Sequence, residues 1–111
     1  LRCRILAEAA NGPTTYEADD VLRLRDDVFV IPDILCNAGG VIVSYFEWVQ
    51  DLQSFFWSEA EVNDKLYRQL ESAYHQVLSL AKKQNLYLRD AALALGISKI
   101  AQAKQLRVLF P

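Results

Sequence analysis

The run Val28-Phe29-Val30-Ile31 constrains this chain most. Four apolar, β-favouring residues without alternation suit a parallel strand covered on both faces, because a strand with one wet face alternates polar and apolar side chains. A parallel strand needs a partner reached through a crossover. The chain supplies one upstream. Cys3 to Ala10 reads as a buried strand centred on Ile5 and Leu6, with Cys3–Glu8 as its pairing stretch, and Asn11-Gly12-Pro13 breaks it. Thr14-Thr15-Tyr16-Glu17 has capping-box spacing, with the Thr14 hydroxyl at the cap and Glu17 reaching back. A helix is predicted over Thr15 to Arg25, with Ala18, Val21, Leu22 and Arg25 on its inner stripe. Strand, helix and strand in about 30 residues form a βαβ unit.

The rest of the chain reads as helix. After Pro32-Asp33-Ile34-Leu35-Cys36 and Asn37-Ala38-Gly39-Gly40, the stretch Val41 to Leu52 is apolar almost all round and is predicted to be a buried helix. Ser58-Glu59-Ala60-Glu61 is a second capping box. From there Val62, Leu66, Leu70, Ala73, Val77 and Ala81 recur at steps of three and four, which predicts a long amphipathic helix over Glu59–Gln84 with Asn85 as its stop. A last helix is predicted over Leu88–Leu106, with Leu93, Ile97, Ile100 and Ala101 inward and Gly96 packed close to another backbone. Three of the four glycines and two of the three prolines lie in residues 1–57, so that segment alternates short elements with turns, while 58–111 is a helical segment packing on it.

Composition excludes several classes. The 111 residues are enough for one small domain, and 52% apolar content excludes intrinsic disorder. A net charge of −2 gives no cause to expect nucleic acid or an anionic membrane as partner. No stretch of 18 apolar residues exists to cross a bilayer. Cys3, Cys36 and the single His75 make neither a disulfide framework nor a metal-ligand pattern, and the two thiols read as small buried hydrophobes. The chain starts at Leu1 and contains no Met, so it is expected to be a piece of a longer protein, and Arg2, Arg4 and Glu8 interrupt any signal-peptide core.

The chemical candidates are the two turns after the strands, since open α/β sheets bind ligands beyond the C-terminal ends of their strands. Asn37, Val41 and Ser44 stand at i, i+4 and i+7, an amide, an apolar side chain and a hydroxyl along one helical stripe. Gly39 and Gly40 would let a ligand approach the backbone. The plainer alternative is that Asn37 is an N-cap, the glycines permit tight packing and Ser44 satisfies its own backbone. Asn11-Gly12-Pro13 can likewise be only a tight turn. Trp48, Trp57, Phe55 and Phe56 read as core, His75 as a surface residue, and Glu47 with Asp51 as a water-facing pair.

Asn11-Gly12-Pro13-Thr14-Thr15, Ile31-Pro32-Asp33-Ile34-Leu35, Asn37-Ala38-Gly39-Gly40-Val41 and Val43-Ser44-Tyr45-Phe46-Glu47-Trp48-Val49-Gln50, followed by Trp57-Ser58-Glu59, Glu61-Val62-Asn63 and Leu88-Arg89, resemble the C-terminal half of the glutamate dehydrogenases. These belong to the glutamate, leucine, phenylalanine and valine dehydrogenases. The match covers nearly the whole chain in order, and the Tyr-Phe-Glu-Trp-Val-Gln run favours glutamate. The resemblance implies an α/β fold: the C-terminal part of a Rossmann-like coenzyme-binding domain, one βαβ unit followed by about three helices. It implies a cytoplasmic enzyme that oxidatively deaminates L-glutamate to 2-oxoglutarate and ammonia with NAD or NADP, and that assembles as a homo-oligomer, a hexamer in the family. It places Asn11 by the nicotinamide ribose, Asn37 on the nicotinamide carboxamide, and Val41 and Ser44 along the substrate side chain, with Ser44 donating to the distal carboxylate. That agrees with the stripe above and favours its ligand reading.

The chain departs from the family at Ala9 (usually Gly), Tyr16 (often Pro), Asp51 (often Asn) and Ser54 (often Gly). It holds no G-x-G-x-x-G for the pyrophosphate. Lys65, Lys82, Lys83, Lys99 and Lys104 match none of the family's catalytic lysines, so no catalytic residue is expected here. By itself the segment is expected to be inactive, to need the N-terminal remainder of the enzyme, and to expose a strand edge where a third strand belongs. The alternative is a free-standing, non-catalytic α/β binding or interaction module derived from such an enzyme.

Overall fold

The computed structural model describes residues 1–107. Two short parallel strands, β1 (Ile5–Ala7) and β2 (Phe29–Ile31), pair in the register Ile5 to Phe29, Leu6 to Val30 and Ala7 to Ile31. Helix α1 (Tyr16–Arg23) crosses between them, so the βαβ unit is present, but the strands are shorter than the apolar runs, and Ile5, Ala7 and Phe29 are exposed, so β1 is not buried and β2 is not covered on both faces by the described residues. There follow α2 (Asp33–Cys36), α3 (Gly39–Gln53), α4 (Glu59–Gln84) and α5 (Leu88–Arg107). No described helix is long and apolar enough to cross a membrane. The last four residues of the 58–111 segment lie outside the described residues.

Local chemistry sets the boundaries. Ser58 caps α4: its Oγ accepts from Glu61 N at 3.4 Å while Glu61 Oε2 accepts from Ser58 N at 2.8 Å. Asn85 ends α4 in the left-handed conformation, as its side chain permits. α1 starts one residue later and ends two residues earlier than expected. Thr15, not Thr14, is its N-cap, accepting from Ala18 N. The Thr14 hydroxyl instead donates to the buried Glu8 carboxylate at 2.6 Å. Ser54 stops α3 at φ 49°, a conformation that favours glycine.

The core forms two clusters. Val77 and Ala81 of α4 pack on Leu88, Ala91 and Ala92 of α5. Leu22, Val28 and Val30 pack with Cys3, Leu6 and Tyr87, so the α4–α5 junction reaches the sheet. Gln50 ties α3 to the following segment: its Nε2 donates to Phe46 O and its Oε1 accepts from Trp57 N at 2.6 Å.

Several faces predicted to be inside are outside. α3 buries Phe46 and Gln50 but exposes Val41, Tyr45, Trp48 and Leu52, so the helix is not buried all round. α5 buries Leu88, Ala91 and Ala92, and Leu93, Ile97, Ile100 and Ala101 lie exposed. α1 turns Leu22 and Asp19 inward and leaves Ala18 and Val21 on an open cavity of about 780 Å³ beside β1. Phe55 and Phe56 are exposed as well, and both cysteines are half-buried. An added Cβ at Gly96 would meet nothing within 4 Å, so no close backbone contact explains that glycine. The common cause is that periodicity marks an apolar face, and no other element of the described chain covers these ones.

Candidate functional site

The two turns meet. Gly12 sits at φ 56°, which glycine adopts without strain and which turns the chain sharply after β1. The Asp33 side chain crosses to this turn, its Oδ2 accepting from Gly12 N at 2.8 Å. Asp33 also accepts Asn37 N on its backbone carbonyl at 3.0 Å. Asn37 Nδ2 then donates to Asn11 Oδ1 at 2.6 Å. Two residues 26 positions apart thus present their amides side by side, beyond the C-terminal ends of two parallel strands.

Asn37 is not the N-cap of α3. It terminates α2, its N–H bonded back to Asp33, and Ala38 precedes α3 without a side-chain cap bond. Val41 and Ser44 stand three residues apart on the exposed side of α3, next to that helix start. Tight packing does not account for the glycines between. A Cβ on Gly39 would meet Leu70 Cδ1 at an ordinary 4.0 Å, one on Gly40 would meet nothing within 4 Å, and neither has positive φ. Among the described residues nothing packs against either position closely enough to require glycine.

Behind the turns lies a charged cluster that the sequence reading missed. Arg89, at the start of α5, donates Nη2 to Glu8 Oε1 at 2.7 Å, Nε to Asp19 Oδ1 at 3.1 Å and Nη1 to Asp33 Oδ1 at 3.2 Å. Glu8 Oε2 accepts Asp33 N at 3.0 Å, so both carboxylate oxygens of this 1%-exposed side chain are engaged. Burial pushes the Glu8 carboxyl up, but Arg89, Thr14 and the Asp33 N–H more than offset it and hold it below its usual range. The Gly12 N–H does most to lower Asp33, with burial opposing and the Ile34 N–H and Arg89 adding to the effect. Arg23 continues the network with a bidentate pair to Asp90, a bond to Asp19, and its guanidinium 4.5 Å from the Tyr87 ring centroid. The Tyr87 hydroxyl is buried without a partner among the described residues. A partial signal existed: Glu8 lies within the run read as a buried strand and Asp33 closely follows the other strand, and carboxylates so placed need a cation that pairs without losing its charge; Asp19 gave none.

The remaining candidates do not join the turns. Lys65, Lys82, Lys83, Lys99 and Lys104 are exposed on α4 and α5; Lys65 lies over the Trp57 ring and Lys99 bonds Gln76. His75 is exposed, its ring against Tyr74. Glu47 and Asp51 face solvent.

The described chain, residues 1–107, matches the family model for glutamate/leucine/phenylalanine/valine dehydrogenases. It is 47% identical over its full length to a glutamate dehydrogenase of Thermotoga maritima, of which it covers 26%. It is 46% identical over 96% of its length to an NAD-specific glutamate dehydrogenase of Staphylococcus aureus, again covering 26% of that protein. The chain therefore spans about a quarter of the length of these relatives. The crystal structure of glutamate dehydrogenase from Peptoniphilus asaccharolyticus superimposes with a TM-score of 0.88 at 42% identity, over 99% of this chain and 28% of that one. A leucine-bound, hetero-hexameric glutamate dehydrogenase from Thermus thermophilus gives a TM-score of 0.92 at 35% identity, over all of this chain and 26% of that one.

Proposed function

This chain belongs to the glutamate/leucine/phenylalanine/valine dehydrogenase family, and from that premise we propose that it is the nicotinamide- and substrate-facing wall of an NAD(P)-dependent glutamate dehydrogenase. The observation that carries the reading is the Asn37–Asn11 bond, which brings the two residues the family resemblance assigns to the coenzyme onto one another. The glutamate dehydrogenase relatives and the NAD specificity of one of them support both substrate and cofactor.

The residues fit the nicotinamide end of the coenzyme. Their mutual bond uses only Asn37 Nδ2 and Asn11 Oδ1. The Asn37 carbonyl and the Asn11 amino group remain, an acceptor and a donor suited to a carboxamide and a ribose hydroxyl. The open backbone at Gly39 and Gly40 leaves room for it. When bound, the coenzyme supplies the acceptor for the hydride leaving the substrate α-carbon. Asn37 orients the carboxamide and so fixes the ring face. Val41 covers the methylenes of glutamate, and the Ser44 hydroxyl donates to its distal carboxylate. The pyrophosphate grip and the groups that move protons lie outside residues 1–107, so the chain alone is inactive and works with the N-terminal remainder in a cytoplasmic oligomer. The apolar faces on α3 and α5 and the open side of β1 are where that remainder and neighbouring subunits fit.

The test is Asn37→Ala in the full-length protein that carries this chain. Glutamate-dependent reduction of NAD or NADP should slow about 100-fold, the scale of losing reacting-group alignment, while ADP-ribose, which has no nicotinamide, binds as before. Equal loss of ADP-ribose binding would mean the substitution had only disturbed the junction between α2 and α3.

A further inference from the structure

We propose that Asp33, clamped by Arg89, is a positioning residue that sets the register between Asn11 and Asn37, so that the start of helix α5 governs the alignment of the nicotinamide. This rests on the coenzyme assignment above and extends it to residues that touch neither coenzyme nor substrate.

Among the described residues, Asp33 is the one that bonds the backbone N–H groups of both turns. Through Oδ2 it holds Gly12 N at 2.8 Å, next to Asn11, and through its backbone carbonyl it holds Asn37 N at 3.0 Å. Its Oδ1 is shared between Ile34 N at 2.8 Å and Arg89 Nη1 at 3.2 Å, and its own N–H is fixed by Glu8 Oε2 at 3.0 Å. A carboxylate with its backbone and both oxygens engaged has one rotamer open to it. The carboxylate therefore ties the Asn11-Gly12 turn to α2, whose own backbone bond carries Asn37, and so sets where the two amides meet. Gly12, at φ 56° with nothing within 4 Å of an added Cβ, has no side-chain packing of its own to hold the turn. Arg89 secures Glu8 and Asp33 with one planar fork, the geometry that a lysine cannot reproduce. Arg23, by contrast, pairs with Asp90 and Asp19 and bonds neither turn.

The test is a double-mutant cycle in the full-length dehydrogenase, read by the hydride-transfer rate with α-deuterated glutamate and by ADP-ribose affinity. Asp33→Ala should slow hydride transfer about 10- to 100-fold, the cost of misplacing a reacting group by ~1 Å, with ADP-ribose affinity unchanged. The double variant Asp33→Ala/Asn37→Ala should be no slower than Asn37→Ala alone, because nothing is left to position. If Asp33→Ala does not fold, Arg89→Lys replaces it in the cycle; it should slow the step several-fold, and the fork-breaking control Arg23→Lys should lower thermal stability without changing the rate. Multiplicative losses in the double variant, or an unchanged rate in both Asp33→Ala and Arg89→Lys, would overturn the positioning role while leaving the Asn37 assignment standing. A normal rate in Asn37→Ala would overturn that assignment and this role together.

Discussion

Asn37 Nδ2 lies 2.6 Å from Asn11 Oδ1, joining the turn after β1 to the turn after β2. Everything proposed for the chain depends on what that junction faces. On one side is the Asp33–Arg89–Glu8 cluster, and on the other the bare backbone of Gly39 and Gly40 and the exposed side of α3.

Gly40→Ala separates packing from ligand approach. The added methyl meets no atom of this chain within 4 Å, and alanine suits a helix better than glycine, so folding stability should hold or rise by about 0.5–1 kcal/mol. The KM for coenzyme or glutamate should nonetheless rise about 10-fold or more, one order per 1.4 kcal/mol of lost binding. A destabilised variant with unchanged kinetics would show that the glycine serves the fold instead.

Ser54→Gly should stabilise the protein. Ser54 holds a left-handed φ of 49° at the end of α3, which costs a residue with a Cβ about 1–2 kcal/mol, partly offset by the entropy that glycine loses on folding. A net gain of about 0.5–1 kcal/mol is expected in the unfolding free energy, seen as a higher denaturant midpoint at unchanged slope. No gain would mean that the hydroxyl makes up for the strain.

Arg89→Met should show its damage in a pH-dependent way. The folded-state carboxyls of Glu8 and Asp33 sit below their ordinary values. Their contribution to stability is therefore present above the unfolded values near about pH 4 and is lost as the pH falls through the folded ones. Without Arg89, burial of Glu8 is opposed only by Thr14 and the Asp33 N–H, so its value rises relative to the parent and the variant loses less stability as the pH falls. The stability gap, about 3–5 kcal/mol near neutrality for a broken buried pair, should narrow as the pH falls from about 7 to about 3. Denaturation curves at the two pH values decide it, and a constant gap would contradict the assignment.

The βαβ unit, the capping box at Ser58 and the inner stripe of α4 were legible because each is a local pattern: an apolar run, a hydroxyl three residues before an acid, a recurrence of three and four. The direction of the other apolar faces was not. Val41, Tyr45 and Trp48 on α3, and Leu93, Ile97 and Ile100 on α5, carry the same periodicity as a buried stripe yet lie open, since periodicity names a face without naming its cover. Thr14 shows the second limit: its hydroxyl was equally able to cap a helix or bond Glu8, and the buried carboxylate took it. Asn11 and Asn37 stand out in the sequence as candidates, while their contact and its link through Asp33 and Arg89, 56 positions apart, depend on tertiary structure.

The central claim, that this chain faces glutamate within a dehydrogenase, is tested most directly by comparing L-glutamate with norvaline as substrates of the full-length Ser44→Ala variant. Norvaline lacks the distal carboxylate. A hydrogen bond to a charged group contributes about 1.5–3 kcal/mol, so kcat/KM for glutamate should fall about 10- to 150-fold while that for norvaline changes little. Equal losses on both substrates, or none on glutamate, would remove Ser44 from the pocket and contradict the account.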